Sequence, residues 1–371
     1  MYKSMEKRKI ISAIFAFIAV MATFTGCNKT TRTFDRVYFD FLGTTVYLEI
    51  HATNRFPWQK DGIDQCFETV GERLDEISST FSVEDEGSFV YKFNELNKGE
   101  SIEVSEDFLR VFNLAVETYD ETMGAFNPAV KPLVDLWGFS KKYQLSTYSP
   151  TFNFDRVRNE DGSFSPPKQE YVDAFLLLSD FSTISVEETI ITKNAESVTV
   201  DGVNYRQQID LSGVAKGYAG DEIARILKDC GYDRFYVSIG TSSMYLSKNA
   251  EGSAYKVGLT DPLEPDAPSK DFISVCSGGV STSGVYQNCY YVDGRRFHHI
   301  IDGKTGRPSE TDVLSATVWY SDDCFSSAKA DALSTAFVVM GSEEAREYAE
   351  NNGWNYAIVT NDVVIGSGII A

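Results

Sequence analysis

The stretch "RVYFDFLGTTVYLEIHA" (36–52) alternates apolar and polar residues on both sides of a Gly-Thr-Thr, which reads as two strands joined by a bend. Strands joined that closely run antiparallel, because a parallel pair needs a long crossover. Helical patterns follow. "DGIDQCFETVGERLDEISSTFS" sets Ile63, Phe67, Val70, Leu74 and Ile77 on one helical face. "SEDFLRVFNLAVETYDETMG" opens on a capping Ser105 and stops at Gly124. Residues 140–170 are polar and rich in Pro and Ser, a surface excursion with amphipathic segments on both sides, so no domain boundary falls there.

The second half mixes both types. "SVTVDGVNYRQQIDL" reads as strands, "AGDEIARILKDCG" as a helix closed by Gly231, and "RFYVSIG" as a buried strand. "RRFHHIID" is a strand leaving into the turn "GKTGRP". "FSSAKADALSTAFVVMG" is an apolar helix ending at Gly341, and "WNYAIVT" and "DVVIGS" close the chain. This order predicts an α+β fold with a largely antiparallel sheet rather than a doubly wound parallel one. With 371 residues, 43% of them hydrophobic, the chain can bury a sizeable core.

The first 26 residues stand apart. Lys3, Lys7, Arg8 and Lys9 precede the apolar run "IISAIFAFIAVMATF", too short for a comfortable membrane span. "FTGC" then puts Cys27 directly after small residues, as in a bacterial lipobox. The expectation is a signal peptide over 1–26, a lipidated Cys27 and tether over 27–34, and one folded domain over 35–371. An uncleaved membrane anchor is the alternative; either places the domain outside the cytoplasm.

Thirty-four basic against 54 acidic residues leave a net charge of −20, which argues against a nucleic-acid partner. A phosphate-bearing ligand would need a local cation in that acidic field. Cys66, Cys230, Cys276, Cys289 and Cys324 form no CxxC pair, so zinc and redox motifs are not supported. They read as buried apolar thiols, with one disulfide left open.

Four segments carry chemistry. In "DLSGVAKGYAGD" (210–221), Asp210 and Lys216 bracket small residues that could bring backbone N–H groups to phosphates or a carbonyl to a metal; a tight strand-to-helix turn has the same composition. In "AKADALSTAF", Asp331, Ser334 and Thr335 share one helical face, hard oxygen donors suited to Mg²⁺ or Ca²⁺. Hydroxyls bonded back to the preceding turn would give the same pattern. "STSGVYQN" leads to "RRFHHIIDGKTGRP", where adjacent His298 and His299 on a strand would point to opposite faces. In "TMGAFNPAVKPLVDLWGF", a Gly- and Pro-fixed loop presents Phe126 and Asn127, suited to a planar heterocycle or equally to a packed loop.

Taken in order with "FLGTTVYLEI" and "TFSVEDEGSFVYKFNEL", these segments resemble the FAD:protein FMN transferases, the ApbE or flavin-trafficking lipoprotein family, over essentially the whole mature chain. The resemblance implies an α+β domain with flanking helices that binds FAD with Mg²⁺. It implies transfer of the FMN half of FAD onto a Thr or Ser hydroxyl of an exported acceptor flavoprotein, with release of AMP. Carried over by motif, Leu42, Phe81, Ala125, Phe126, Asn127, Asp210, Lys216 and Ile301 would contact FAD. Gly213 (through its carbonyl), Asp331, Ser334 and Thr335 would hold the metal. His299 is the candidate base, Lys216 a charge stabiliser, and Asp302 an orienting group.

The chain departs from the family pattern at several points. Asn127 replaces a usual Asp, Gly303 a common Pro and Leu42 a frequent Met, and Thr241 and Ser242 stand in place of a Gly-Gly. Hydrolysis of FAD to FMN and AMP, and a flavin-binding lipoprotein without turnover, are the competing expectations.

Overall fold

The computed structural model describes residues 31–52, 59–139, 159, 163–320 and 326–370. The signal segment, Cys27, most of the polar excursion and Cys324 lie outside the described residues. Eight strands form one sheet: β1 (Arg32–Phe41), β2 (Thr44–Ala52), β3 (Phe235–Ile239), β4 (Ser243–Leu246), β5 (Gly278–Gly284), β6 (Val313–Trp319), β7 (Asn355–Thr360) and β8 (Val364–Gly366). Each pairs with the next in chain order, and every pairing is antiparallel. The expected α+β class with an antiparallel sheet is what the chain adopts.

The opening hairpin turns at Gly43, with Leu42 also at positive φ and a register shift between Tyr38 and Phe41. Helices fill the connections: α1 (Gln59–Phe81), α2 (Glu106–Glu121) and α3 (Ser212–Asp229) between β2 and β3, then α4 (Ser326–Met340) and α5 (Ser342–Asn352) between β6 and β7. Helix α2 is capped as its sequence implies, Ser105 Oγ accepting the Phe108 N–H. Strand parity sorts the two faces of the sheet. Ala316 and Val318 of β6 join the helical core with Leu333 and Phe337 of α4. Val280 and Trp319 face the other way, onto a small sheet that contributes Ile273 and Val275.

Three local expectations are corrected. Helix α3 starts at Ser212 and not at the Ala219 of the expected "AGDEIARILKDCG" helix, so Lys216 lies inside it. The glycines here serve close packing: a Cβ on Gly217 would lie 2.2 Å from the Ser327 carbonyl oxygen of α4, and one on Gly220 3.1 Å from Ser327 Oγ. "RRFHHIID" is not one strand. Arg295–His298 pairs with Cys289–Val292, the chain kinks at His299, and Ile301–Asp302 pairs with Arg307–Pro308. The thiols, finally, are not a buried set: Cys66 is buried, Cys230 and Cys276 are exposed, and none of the four described ones is in a disulfide.

Candidate active site

The site forms where the first turns of α3 meet the second turn of α4 over β4 and β5. Asp331 is buried on α4. Its Oδ1 accepts the Ser243 hydroxyl of β4 at 2.9 Å, and its Oδ2 accepts the Gly217 N–H of α3 at 3.1 Å. In a regular helix that N–H turns to the carbonyl four residues back, here that of Gly213. Sharing it with Asp331 leaves the Gly213 carbonyl freer to accept another partner. Lys216 Nζ stands 3.7 Å from Asp331 Oδ2 and donates to the Ser212 carbonyl at 2.5 Å. Burial pushes the Asp331 carboxyl above the usual carboxylate range, opposed by Lys216 first and by the Ser243 and Gly217 bonds.

Beside it lies a group of hydroxyls. Ser334 Oγ donates to the Asp331 carbonyl at 2.9 Å, so this side chain turns back on its own helix. Ser283 Oγ of β5 sits 2.8 Å from Ser334 Oγ and 3.0 Å from the half-buried Thr335 Oγ1. Ser281, two residues earlier on the same strand, has a buried hydroxyl without a partner.

One carboxylate, neighbouring hydroxyls and a peptide carbonyl are hard donors that fit a small divalent cation. A buried carboxylate with a single cation at 3.7 Å has room for further positive charge. Among the described residues no cluster of three or more His, Cys, Asp or Glu occurs, so the remaining positions of such an ion would be taken by ligand or solvent oxygens.

The aromatic side is built by the 122–130 loop. Thr122 Oγ1 accepts the Phe126 N–H at 3.1 Å, and the Phe126 ring lies 3.3 Å from where a Cβ on Gly213 would sit. Asn127 is fully engaged: Oδ1 accepts the Ala129 N–H and Nδ2 donates to the Ser179 carbonyl, each at 2.9 Å. A Cβ on Gly303 would come within 2.5 Å of that same Nδ2, so two of the departures from the family pattern touch each other. Asp210 binds this loop through its N–H to the Pro128 carbonyl, while its Oδ1 accepts the Ser212 N–H at the start of α3.

His299 sits at the kink. Burial pushes its imidazole down to about 4, with His298 and, last, the Lys216 ammonium acting in the same direction. Its Nδ1 is buried without a hydrogen-bond partner. The other candidates are placed differently. Asp302 Oδ1 caps its own turn by accepting the Lys304 N–H at 2.8 Å. The Phe81 ring packs in the core against Phe108 and Tyr218. Ala125 and Ile301 are buried, and Leu42 is half-buried at the hairpin tip.

Lys216 and Asp331 thus meet at the α3–α4 junction, with Phe126 against Gly213, Thr335 one turn along α4 from Asp331, and His299 near enough to feel the Lys216 charge. Sequence reasoning overlooked Ser243 and the Gly217 N–H, the two groups that hold Asp331. Their signal was present: Ser243 follows the altered "GTS" turn, and Gly217 directly follows Lys216.

Residues 42–359 match the model of the ApbE family. The FAD:protein FMN transferase of Escherichia coli K12 is 28% identical over 295 residues, 80% of this chain and 76% of that one. Its counterpart in Haemophilus influenzae is 26% identical over 358 residues, 96% of this chain and 94% of that one. The flavin transferase ApbE from Vibrio cholerae superposes with a TM-score of 0.73 at 24% identity, covering 91% of this chain and 98% of that one. The ApbE protein from Thermotoga maritima gives 0.71 at 27% identity, covering 91% and 97%.

Proposed function

The chain belongs to the ApbE family, and from that premise we propose that this transferase moves the FMN half of FAD onto a Thr or Ser hydroxyl of an exported acceptor flavoprotein, releasing AMP, with Mg²⁺ as its metal. The observation that carries this reading is the buried Asp331 carboxylate facing Lys216 Nζ at 3.7 Å beside a glycine-lined helix start. Asp331, Thr335 and the Gly213 carbonyl would hold the ion, with Ser334 supporting Thr335 through Ser283. A bound Mg²⁺ would supply charge neutralisation on the pyrophosphate and on the departing AMP phosphate.

The chain's own groups do the rest. Lys216, tethered to the Ser212 carbonyl, offers a fixed cation to phosphate oxygens. Phe126 and the 122–130 loop offer an apolar wall to the flavin. In the reaction the acceptor oxygen forms a bond to the FMN phosphorus, the P–O bond to AMP breaks, and the hydroxyl proton passes to a base. His299 suits that role because burial keeps its imidazole neutral well below pH 7.

That assignment has a pH consequence. With His299 held at about 4, kcat/KM should stay level from pH 8 down to roughly 5 and fall below it, where an ordinary histidine would already fall near 6.5. His299→Ala should lower kcat by about 10²- to 10⁴-fold and remove the acid limb. For stability the sign is fixed by linkage: the unfolded histidine takes up its proton first as the pH falls. Stability contributed above about 6.5 is therefore lost as the pH drops toward 4.

Incubating the purified protein with FAD and Mg²⁺, with and without an acceptor flavoprotein domain, tests the whole reading. AMP formed only with the acceptor supports transfer. AMP formed without it means hydrolysis, and none formed in either case means a flavin binder. The proposal extends to location: lipidation at Cys27 would tether the domain to the outer side of the cytoplasmic membrane. Cys27→Ser should then move the protein from the membrane fraction to the soluble one, and an unchanged distribution would reject the anchor.

A further inference from the structure

The last residue of "DLSGVAKGYAGD" has no part in the scheme above, yet it bonds directly to the helix that carries Asp331. Asp221 lies on α3 one turn beyond Gly217. Its Oδ1 accepts the Ser327 N–H at 3.1 Å and its Oδ2 the Ala328 N–H at 3.0 Å, both in the first turn of α4. Asp331 lies one turn further along α4 and reaches back to the Gly217 N–H. The two helices run past each other in opposite directions and are joined at two points, Asp221 to Ser327 and Gly217 to Asp331.

The first turn of α4 is also wedged. A Cβ on Gly217 would fall 2.2 Å from the Ser327 carbonyl oxygen, and one on Gly279 of β5 would fall 2.2 Å from Ser327 Cα. With backbone on both sides, α4 can adjust only by sliding along its axis or rotating, and the Asp221 bonds oppose both. Burial pushes the Asp221 carboxyl up to about 7, opposed by its bonds to the Ala328 and Ser327 N–H groups, and the helix N-terminus favours its charged form.

We propose that Asp221 is a positioning residue for the reaction: by capping α4 from α3 it sets where the Asp331 carboxylate stands relative to Gly213 and Lys216. The inference rests on the metal and lysine roles proposed above.

Three variants test it: Asp221→Ala, Asp221→Asn, and Leu48→Ala, a core lesion on β2, which pairs with neither β4 nor β5. Each is measured by amide hydrogen exchange over residues 213–221 and 326–335 without nucleotide or metal, by calorimetry with magnesium alone, and by kcat and KM for FAD. Asp221→Ala should speed exchange at Gly217 and at Ser327–Ala328. It should also weaken magnesium binding and lower kcat, each about tenfold or more, with less change in KM. Asp221→Asn should recover most of this, since its amide oxygen still accepts one N–H. Leu48→Ala should lower the melting temperature with none of these changes.

Wild-type magnesium affinity and kcat in a folded Asp221→Ala would overturn the inference, as would Leu48→Ala reproducing its pattern. Should Asp221→Ala fail to fold, Asp221→Glu takes its place. It keeps the charge but is one methylene too long, so it should bind magnesium worse than Asp221→Asn; the reverse order would overturn the positioning role. If the wild-type protein binds no magnesium, the metal assignment fails on its own. Exchange at Gly217 still reports on Asp221.

Discussion

Asp331→Asn is expected to slow FMN transfer on the order of a thousandfold or more, because it removes the one full negative charge among the proposed metal ligands. The swap keeps the shape and the hydrogen bonds. An amide oxygen can still accept the Gly217 N–H, and its NH₂ can donate to Ser243 Oγ, which now donates at 2.9 Å. The fold should therefore survive, since Leu333, Phe337 and Val338 of the same helix remain packed in the core. Burial already opposes ionisation of this carboxyl, so the neutral side chain should cost little stability and could add some. Calorimetry should show magnesium binding weakened in step with the rate. His299→Ala is the contrast, slowing transfer with magnesium affinity intact. Near wild-type transfer by Asp331→Asn at low magnesium would mean that this helix is structural and the ion binds elsewhere.

Gly217→Ala should be among the most damaging small substitutions in the domain. The new methyl would lie 2.2 Å from the Ser327 carbonyl oxygen, 2.5 Å from its carbon and 2.7 Å from Ala328 Cα, all backbone atoms that cannot rotate away. The helices must part, at a cost of about 3 kcal/mol or more, which for a domain of this size corresponds to a drop in Tm of roughly 4 °C or more. The same separation pulls the Gly217 N–H and Lys216 away from Asp331, so the rate should fall together with the stability. Gly213→Ala is the matched control, because its Cβ meets only the edge of the Phe126 ring, at 3.3 Å. A scanning-calorimetry trace for Gly217→Ala that overlays the wild type would show that the α3–α4 contact is looser than the geometry implies.

The antiparallel class, the opening hairpin and the cap at Ser105 could be read from the sequence because each rests on local alternation or on a local hydrogen bond. The segments of the candidate site were legible as segments. Their mutual contacts were not. Glycines inside α3 read as a turn into a helix or an approach to a ligand, since nothing local announces that a second helix will press its backbone against them. The strand break after His298 was hidden because "FHHIID" carries no Gly or Pro to mark it. Asn127 and Gly303 looked like two unrelated departures from a family pattern. In the structure a pinned amide occupies the space where a side chain at 303 would stand, so one departure accounts for the other.

The in-order pairing of the sheet has a consequence for how the chain assembles. Strands β3 to β8 each find a partner close behind them in the sequence, but β2 must wait for β3, across residues 53–234. Closing so long a loop adds little to the free-energy cost, because the entropy grows only with the logarithm of length. It does delay the pairing, since contacts between distant residues form slowly. Through that delay the β1–β2 hairpin presents its inner edge, "TTVYLEIHA", as an open template for another chain. Among the described residues no strand pairs with the outer edge, and Arg32, Asp35, Arg36 and Asp40 place charges of both signs along β1. Such charges discourage a second hairpin from stacking on the first. The hazard at this inner edge is therefore confined to a time window, which opens once residue 52 has been made and closes when β3 pairs with β2.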